Sequence, residues 1–302
     1  MTFTLAHLTD AHIGPLPRPT LRELSNKRGL GYINWRRGRG RAHDMDLLGR
    51  LVTDLRAQKP DHIAMTGDIL NLGLPAEFPL AAAWLSTLGA PKDVSFTPGN
   101  HDAYVRDSMP HLAATFAPWV AGDEQIARGP TFPYLRRRGA IALIGLCSGL
   151  PTGPLMATGR LGAAQLARLE TLLDETRQEN LARVIMIHHP PLHSGAPLPR
   201  RLVDARDLEK VLARVGAELI LHGHNHVASI AYLESRASRA AGGRIPIIGA
   251  PSASSVSHAP RYHAAYHLLR LERQGEIWRI SGRARGPLSN PREIGELREI
   301  NP

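Results

Sequence analysis

Five short apolar runs of this 302-residue chain each end in Asp, Asn or His. They occupy residues 3–8, 61–65, 94–97, 184–187 and 219–221. Each run has the length of a β-strand, and several are apolar almost throughout, as strands buried on both faces are. Helical patterns alternate with these runs, and this alternation predicts an α/β sheet with parallel strand pairs.

The rest of the chain is consistent with one large domain. Helical spacing of apolar residues predicts helices over residues 44–58, 76–88, 161–179 and 205–215. Residues 244–248, 262–271 and 276–281 predict consecutive strands, the last two joined as a hairpin. No linker is long enough to separate two domains. We therefore predict one domain over residues 1–285, followed by a polar C-terminal tail, residues 286–302, at the surface or partly frayed.

The polar residues that follow the five runs are the candidates for chemistry. They are Asp10 and His12, Asp68, Asn100 with His101 and Asp102, His188 with His189, and His224 with His226. Any one of them alone is more often part of a turn or of the core. Ligands bind α/β sheets at the carboxyl ends of strands, so we expect the whole set to gather in one pocket.

Seven of these side chains are typical metal ligands. They are two carboxylates, one amide and four imidazoles, without a thiolate: Asp10, Asp68, Asn100, His12, His188, His224 and His226. Such a set suits Mn, Fe, Zn or Co. Seven donors exceed the needs of one tetrahedral ion, which predicts two divalent ions sharing a carboxylate. The two ions would carry more positive charge than the two carboxylates neutralise, and this excess would attract a phosphate. A water molecule between the ions would have a lowered pKa.

The series Asp-x-His, Gly-Asp, Gly-Asn-His-Asp, His-His-Pro-Pro and Gly-His-x-His, in this order, resembles the calcineurin-like metallophosphoesterases. The segments GRLGAAQLARLETLL and IPIIGAPSA also resemble that family, and the resemblance covers residues 2–285. It implies a four-layer αββα sandwich of two mixed β-sheets flanked by helices. It also implies a binuclear metal centre that hydrolyses phosphoesters.

The resemblance further implies a role for each candidate residue. Asp10, His12, Asp68 and His226 would hold the first ion, and Asp68, Asn100, His188 and His224 the second, with Asp68 bridging. His101 would be the general acid. We assign Asp102 to the catalytic residues with His101, where it would accept a hydrogen bond from His101 or from a nearby backbone group. We interpret His189, Arg200 and Arg201 as substrate contacts, with packing or an exposed arginine pair as the alternative.

The implied activity is that of a phosphodiesterase acting on a small phosphodiester or pyrophosphate. A cyclic nucleotide, a glycerophosphodiester and a lipid-linked substrate all fit this class. A metal-bridging hydroxide would attack phosphorus in line with the leaving group. The alternatives are a nuclease and a binding scaffold without catalysis. Every predicted ligand position is filled in this sequence, which disfavours the scaffold.

A basic insert, residues 15–42, is the clue to specificity. It holds eight cations and one acidic residue: Arg18, Arg22, Lys27, Arg28, Arg36, Arg37, Arg39 and Arg41 against Glu23. Tyr32, Ile33 and Trp35 lie among them. One hypothesis is an arm that contacts an anionic membrane, and a second is a nucleic-acid contact. The third is an oligomer contact or a solvated loop. In that case the net charge of +10 does not indicate a polyanionic partner.

The sequence also bears on location. No apolar run approaches the length of about 20 residues that a membrane-spanning helix needs. The N-terminus lacks the features of a signal peptide. Cys147 is the only cysteine, so an intrachain disulfide is excluded. These features predict a cytoplasmic protein, peripheral to the membrane if the basic insert binds lipid.

Overall fold

The computed structural model of the protein describes residues 2–123, 132–257, 259–290 and 292–302. The strands are β1 (Thr2–Leu8), β2 (His62–Met65), β3 (Val94–Phe96), β4 (Tyr134–Arg138), β5 (Ile141–Gly145), β6 (Ala182–Met186), β7 (Leu219–His222), β8 (Ser229–Glu234), β9 (Arg244–Gly249), β10 (Tyr266–Gln274), β11 (Ile277–Pro287) and β12 (Ile294–Ile300). The helices are α1 (Lys27–Arg37), α2 (Met45–Ala57), α3 (Glu77–Leu88), α4 (Ser108–Val120), α5 (Ala163–Gln178) and α6 (Ala205–Val215).

The strands form two six-stranded sheets, and each sheet is mixed. The order is β12-β11-β10-β1-β2-β3 in the first sheet and β4-β5-β6-β7-β9-β8 in the second. Strands β1, β2 and β3 run parallel, as do β5, β6, β7 and β9. The other pairs are antiparallel. Within each sheet the carboxyl ends of the parallel strands therefore lie at one edge.

Three buried apolar clusters define four layers. Helices α2, α3 and α4 bury Leu51, Leu85 and Phe116 against the outer face of the first sheet. Helices α5 and α6 bury Leu169 and Leu212 against the outer face of the second. The cluster between the sheets combines inward side chains of both: Leu5, Ala64, Leu143, Val184, Leu221 and Leu269. The predicted αββα sandwich is confirmed.

Local sequence explains how these elements form. In β1, Leu5 belongs to the cluster between the sheets and Ala6 to the cluster under the helices, as the two-residue alternation of a strand requires. Helix α2 begins after Asp44, whose carboxylate accepts a hydrogen bond from the amide of Leu47 at 2.9 Å. This capping contact satisfies one of the free amides at the start of the helix.

The C-terminal segment, predicted to lie at the surface or to be partly frayed, forms a strand at the edge of the first sheet. Strand β12 pairs antiparallel with β11, and the side chain of Ile300 is buried in the cluster between the sheets. Most of its other side chains face solvent, as they do in an edge strand. Backbone hydrogen bonds hold such a strand whatever its side chains are, so hydrophobic periodicity could not reveal it.

The basic insert, residues 15–42, contains helix α1 and is anchored to the rest of the protein. The guanidinium of Arg28 is buried and donates to the carbonyl of Gly73. The ammonium group of Lys27 donates to Thr152 Oγ1 at 2.6 Å. Because both contacts reach distant parts of the chain, they fasten the start of helix α1 to the rest of the protein.

The aromatic residues of the insert also pack inward. The rings of Tyr32 and Trp35 stack with their centroids 6.4 Å apart, beside the buried cluster that contains Tyr104. Ile33 is 47% exposed and Leu30 is 54% exposed. Leu21 is 89% exposed. A membrane contact would therefore rest on Leu21, Leu30 and Ile33, not on the two aromatic rings. None of the helices in the described ranges is both long and apolar enough to span a bilayer.

A buried ion pair links β6 to the residue before β7. Arg183 and Glu218 are fully buried, and Arg183 Nη2 lies 2.7 Å from Glu218 Oε1. The pair is fully hydrogen-bonded, since Glu218 also accepts from the amide of Arg239 and Arg183 also donates to the carbonyl of Val215. Removing one partner leaves a buried charge without compensation. We expect Glu218→Ala to lower the free energy of unfolding by about 3–5 kcal/mol.

The measurement is urea unfolding, followed by circular dichroism. Glu296→Ala is the matched control, because it breaks a partly exposed pair in which Arg283 Nη1 lies 3.1 Å from Glu296 Oε2. We expect Glu296→Ala to lower the free energy of unfolding by less than about 1 kcal/mol. Equal losses for the two variants would contradict the prediction.

Candidate active site

The strands that precede the predicted ligands end close together. Strands β1, β2 and β3 are neighbours in the first sheet, and β6 and β7 are neighbours in the second. The amide of Asp10 donates to the carbonyl of Gly67 at 2.9 Å, and the amide of Gly223 donates to the carbonyl of His188 at 3.0 Å. The amide of His224 donates to Asp10 Oδ2 at 3.0 Å, which ties the two sheets together at this edge. Strand ends from both sheets thus meet in one site.

One donor group consists of Asp10, His12 and His226, whose ligand atoms lie within 4.8 Å of one another. Asp10 Oδ1 lies 3.0 Å from His226 Nε2 and 4.0 Å from His12 Nε2. The remaining polar atoms of two of these side chains have protein partners. Asp10 Oδ2 accepts from Thr9 Oγ1 at 2.7 Å, and His12 Nδ1 donates to the carbonyl of Leu70 at 2.9 Å. These contacts fix which atom of each side chain faces the centre of the group.

A second donor group consists of Asp68, His188 and His224, again within 4.8 Å of one another. His188 Nε2 lies 3.2 Å from Asp68 Oδ2, 3.2 Å from His224 Nδ1 and 3.3 Å from Asn100 Oδ1. The other ring nitrogen of His188 donates to the carbonyl of Thr66 at 2.7 Å. Four donor atoms of different side chains therefore converge on one point.

Asp68 lies between the two groups. Its Oδ2 atom is 3.2 Å from His188 Nε2 and 4.0 Å from His12 Nε2, so one oxygen borders both sets of donors. Its Oδ1 atom accepts from the amide of His101 at 2.7 Å, which fixes the orientation of the carboxylate. This is the position that a carboxylate shared by two ions would take.

The protonation of these groups also suits metal ions. Burial lowers the pKa of His12 and of His224 well below the ordinary value, which keeps both rings neutral. Burial opposes the charge of Asp68, but the nearby histidines outweigh it and hold its pKa well below its usual value. Burial also opposes the charge of His188, yet Asp68 raises the pKa of His188 to about 9. A cation would replace that proton, since imidazole binds metals in its neutral form.

One buried ring nitrogen of the first donor group lacks a protein partner. His12 Nε2 is buried and has no hydrogen-bond partner among the described residues. Such an atom carries a desolvation cost that a protein partner would normally offset. A metal ion would satisfy it, so the donor set fits a pair of divalent cations.

The backbone is strained where it presents these donors. Five of the seven predicted ligands have positive φ angles, which non-glycine residues rarely adopt. Asp10, His12, Asp68, His224 and His226 have φ of 52°, 40°, 55°, 69° and 53°. Glycines provide the room that the site needs, since a Cβ at Gly99 would collide with the carboxylate of Asp68. Strain of this kind concentrates at functional sites.

His101 lies beside the first donor group, as its predicted role requires. Its ring centroid is 4.9 Å from that of His12. His101 Nδ1 donates to the carbonyl of Asn71, and Nε2 accepts from Arg39 Nη2 at 2.7 Å. Burial, followed by the charge of Arg39, lowers the pKa of His101 to about 3. Nε2 carries no proton in this arrangement, so a general acid role requires Arg39 to move away from it.

Asp102 has the backbone contacts that were the alternative to a contact with His101. Its carboxylate accepts hydrogen bonds from four main-chain amides at 2.8–3.1 Å: those of Asp68, Ile69, Leu70 and Gly99. No described hydrogen bond joins it to the ring of His101. We therefore correct the catalytic assignment of Asp102: it positions the loops after β2 and β3.

Glu77 fixes the backbone of the loop that follows Asp68. It is buried, and its carboxylate accepts from the amides of Asn71 at 2.7 Å and Leu74 at 2.8 Å. The carbonyl of Asn71 in turn holds His101. The orientation of His101 thus depends on a carboxylate at the start of α3, which the sequence reading did not single out.

His189 is placed for packing, not for substrate contact. It is fully buried, and its ring centroid lies 4.4 Å from that of His224. Both ring nitrogens have protein partners, Ser148 Oγ at 2.8 Å and the carbonyl of Ala157 at 3.2 Å. We correct its assignment accordingly: its contacts support the second donor group.

The two arginines after the His-His-Pro-Pro motif differ in position. Arg200 Nη2 donates to the carbonyl of His224 at 2.6 Å, and the carbonyl of Arg200 accepts from His224 Nε2 at 2.9 Å. Arg200 therefore borders the second donor group. Arg201 contacts His193 Nε2 at 3.1 Å and the carbonyl of Ala196 at 3.3 Å, so no described contact links it to the ligands.

The structure adds two residues that sequence reasoning left outside the site. One is Arg39, on His101. The other is His43, whose ring lies 4.7 Å from that of His12 and 6.3 Å from that of His226. His43 Nδ1 contacts Ser254 Oγ at 2.8 Å. Arg39 lies near the end of the basic insert, and His43 follows directly after the insert. Their charge and residue type were the only signals in the sequence.

Comparisons with known proteins agree with this geometry. The family model for calcineurin-like phosphoesterases matches residues 3–228. A probable cyclic nucleotide phosphodiesterase of Synechococcus is 26% identical over 282 residues, which cover 92% of this chain and 91% of that protein. The glycerophosphodiester phosphodiesterase GpdQ of Enterobacter lignolyticus is 29% identical over 235 residues, which cover 74% of this chain and 70% of that protein.

A solved structure supports the fold. The crystal structure of a dimetal phosphatase from Danio rerio superposes with a TM-score of 0.59 at 16% identity, covering 99% of this chain and 98% of that one. The family model extends across most of the chain and includes all seven predicted ligands. The chain therefore belongs to the calcineurin-like phosphoesterase family and is a phosphoric ester hydrolase.

Proposed function

We propose that this protein is a metal-dependent phosphodiesterase that cleaves a small phosphodiester. The observation that carries the proposal is the convergence of two donor groups on Asp68 Oδ2, at 3.2 Å from His188 Nε2 and 4.0 Å from His12 Nε2. Two divalent ions bound there would neutralise phosphoryl charge and lower the pKa of a water molecule. The names of the two relatives at 26% and 29% identity support a diester in preference to a monoester.

The residues of this chain have separate tasks in that reaction. Asp10, His12, Asp68 and His226 would hold one ion, and Asp68, Asn100, His188 and His224 the other. Once Arg39 has moved away from it, His101 Nε2 would take up a proton from water and deliver it to the leaving oxygen. Buried strand ends exclude bulk water around the donors, which strengthens electrostatic interactions within the site.

The test is hydrolysis of bis-p-nitrophenyl phosphate by the purified full chain. We expect EDTA to abolish the activity and two equivalents of Mn²⁺ to restore it, because the ions hold and activate the reactants. A panel of 3′,5′-cyclic nucleotides, glycerophosphodiesters and single-stranded DNA then separates the substrate classes. Activity that survives complete removal of metal would contradict the proposal. Hydrolysis of DNA alone would favour the nuclease alternative.

A further inference from the structure

The position of Arg39 has no explanation in the metal site itself. Arg39 comes from the basic insert and is partly buried, and its Nη2 atom lies 2.7 Å from His101 Nε2. A guanidinium has five N–H donors. The contact with His101 is its only described hydrogen bond, and no carboxylate in the described residues forms a salt bridge with it.

This arrangement leaves a positive charge without a counter-charge. Withdrawing an unpaired charge from water is costly, so buried arginines are normally paired. The carboxylates whose charges act on Arg39 are those of Asp68 and Asp10, and both belong to the donor groups. Divalent ions would take up the charge of these carboxylates. The anion that balances Arg39 must then come from outside the chain.

The helix that precedes Arg39 is fastened to the rest of the protein. Arg28 is fixed by the carbonyl of Gly73 and by Ser108 Oγ, the latter at 3.2 Å. Lys27 lies over the ring of Tyr104, with Nζ 4.6 Å from its centroid. These contacts fix helix α1 on the protein, and Arg39 follows directly after that helix. A side chain that extends from a backbone held in this way loses less freedom on binding a ligand than one on a mobile loop, and it can still turn about its own bonds.

We propose that Arg39 binds an oxygen of the reacting phosphoryl group, and that the basic insert serves to place this guanidinium at the metal site. This inference rests on the proposed phosphodiesterase function. Guanidinium suits the task because its planar fork matches the geometry of phosphate oxygens. When Arg39 turns from His101 to the phosphoryl oxygen, His101 Nε2 becomes free to face the leaving group.

The proposal also gives the insert a purpose that differs from membrane binding. Among its eight cations, Arg18, Arg22, Arg36, Arg37 and Arg41 are exposed, whereas Lys27, Arg28 and Arg39 are not. Lys27 and Arg28 hold the insert on the protein. Arg39 is left as the cation of the insert that contacts the predicted general acid.

The experiment measures binding of inorganic phosphate by isothermal titration calorimetry to protein that contains two equivalents of Mn²⁺. We expect Arg39→Gln to weaken phosphate binding about 10- to 100-fold, since it removes a charge-assisted hydrogen bond. Arg39→Lys keeps the charge and should show a smaller loss. Arg41→Gln is the matched control, because it removes an exposed arginine from the same insert, and its affinity should stay within about twofold of the wild type.

Metal content, measured by mass spectrometry, should be unchanged in all three variants. Wild-type affinity in Arg39→Gln, or an equal loss in Arg41→Gln, would overturn the proposal. The same proteins are assayed with bis-p-nitrophenyl phosphate. A wild-type protein without activity would contradict the proposed function, whereas an active wild type with unchanged phosphate binding in Arg39→Gln would contradict only the role of Arg39.

Discussion

Replacing Asp68 by asparagine should abolish measurable phosphodiesterase activity and weaken the binding of both metal ions. Asp68 Oδ2 borders both donor groups, so the substitution removes negative charge from two sites at once. Changing a residue that merely supports a metal ligand costs about 10- to 100-fold in affinity or activity. Changing a ligand that both ions share should reduce metal affinity and activity by more than that. Asparagine is preferable to alanine because Asp68 has a φ of 55°, which asparagine tolerates better.

Metal content is measured by mass spectrometry after gel filtration, and activity with bis-p-nitrophenyl phosphate in excess Mn²⁺. Asp174→Asn is the control, since it removes an exposed carboxylate of α5. Urea unfolding establishes that both variants are folded. Retention of two tightly bound ions and of activity in Asp68→Asn would show that this carboxylate does not bridge the ions.

Replacing His101 by alanine should leave both metals bound and slow the chemical step. Loss of a general acid typically reduces the rate about 10²- to 10⁴-fold. The loss should be smallest with p-nitrophenolate as leaving group, because this anion departs without protonation. It should be largest with an alkoxide, which needs a proton. A merely structural role would reduce both rates equally.

Two comparisons make this test specific. His111→Ala removes an exposed histidine of α4 and should leave both rates unchanged. Arg39→Gln should weaken phosphate binding without the dependence on leaving group that marks a proton donor. If His101→Ala slows alkoxide and p-nitrophenolate release alike, His101 serves to position Arg39 and is not the acid.

The predicted ligands could be named from the sequence because each of them follows a strand that is recognisable by its length and apolar character. The order of Asp10, Asp68, Asn100, His188 and His226 along the chain carried the family resemblance, and the family is confirmed. The structure brings the same residues into two groups. Local patterns were sufficient here because the residues that bind and the strand ends that place them are adjacent in the sequence.

Other features depend on contacts between distant residues, which no local pattern records. Arg39 was one cation among eight until the fold placed it on His101. Strand β12 carries mostly polar side chains, and only its pairing with β11 identifies it as a strand. Asp102 was expected to accept a hydrogen bond from His101 or from a nearby backbone group, and only the fold of the loops after β2 and β3 shows that four amides are its partners.

The residues of the two donor groups come from both sheets. Asp10, His12, Asp68 and Asn100 follow strands of the first sheet, whereas His188, His224 and His226 follow strands of the second. Neither half of the chain contains a complete coordination set. A fragment ending before β4 or one starting there would each lack histidines or carboxylates that the other supplies. If the predicted ligands bind the metals, we expect activity only from a chain in which both sheets have formed.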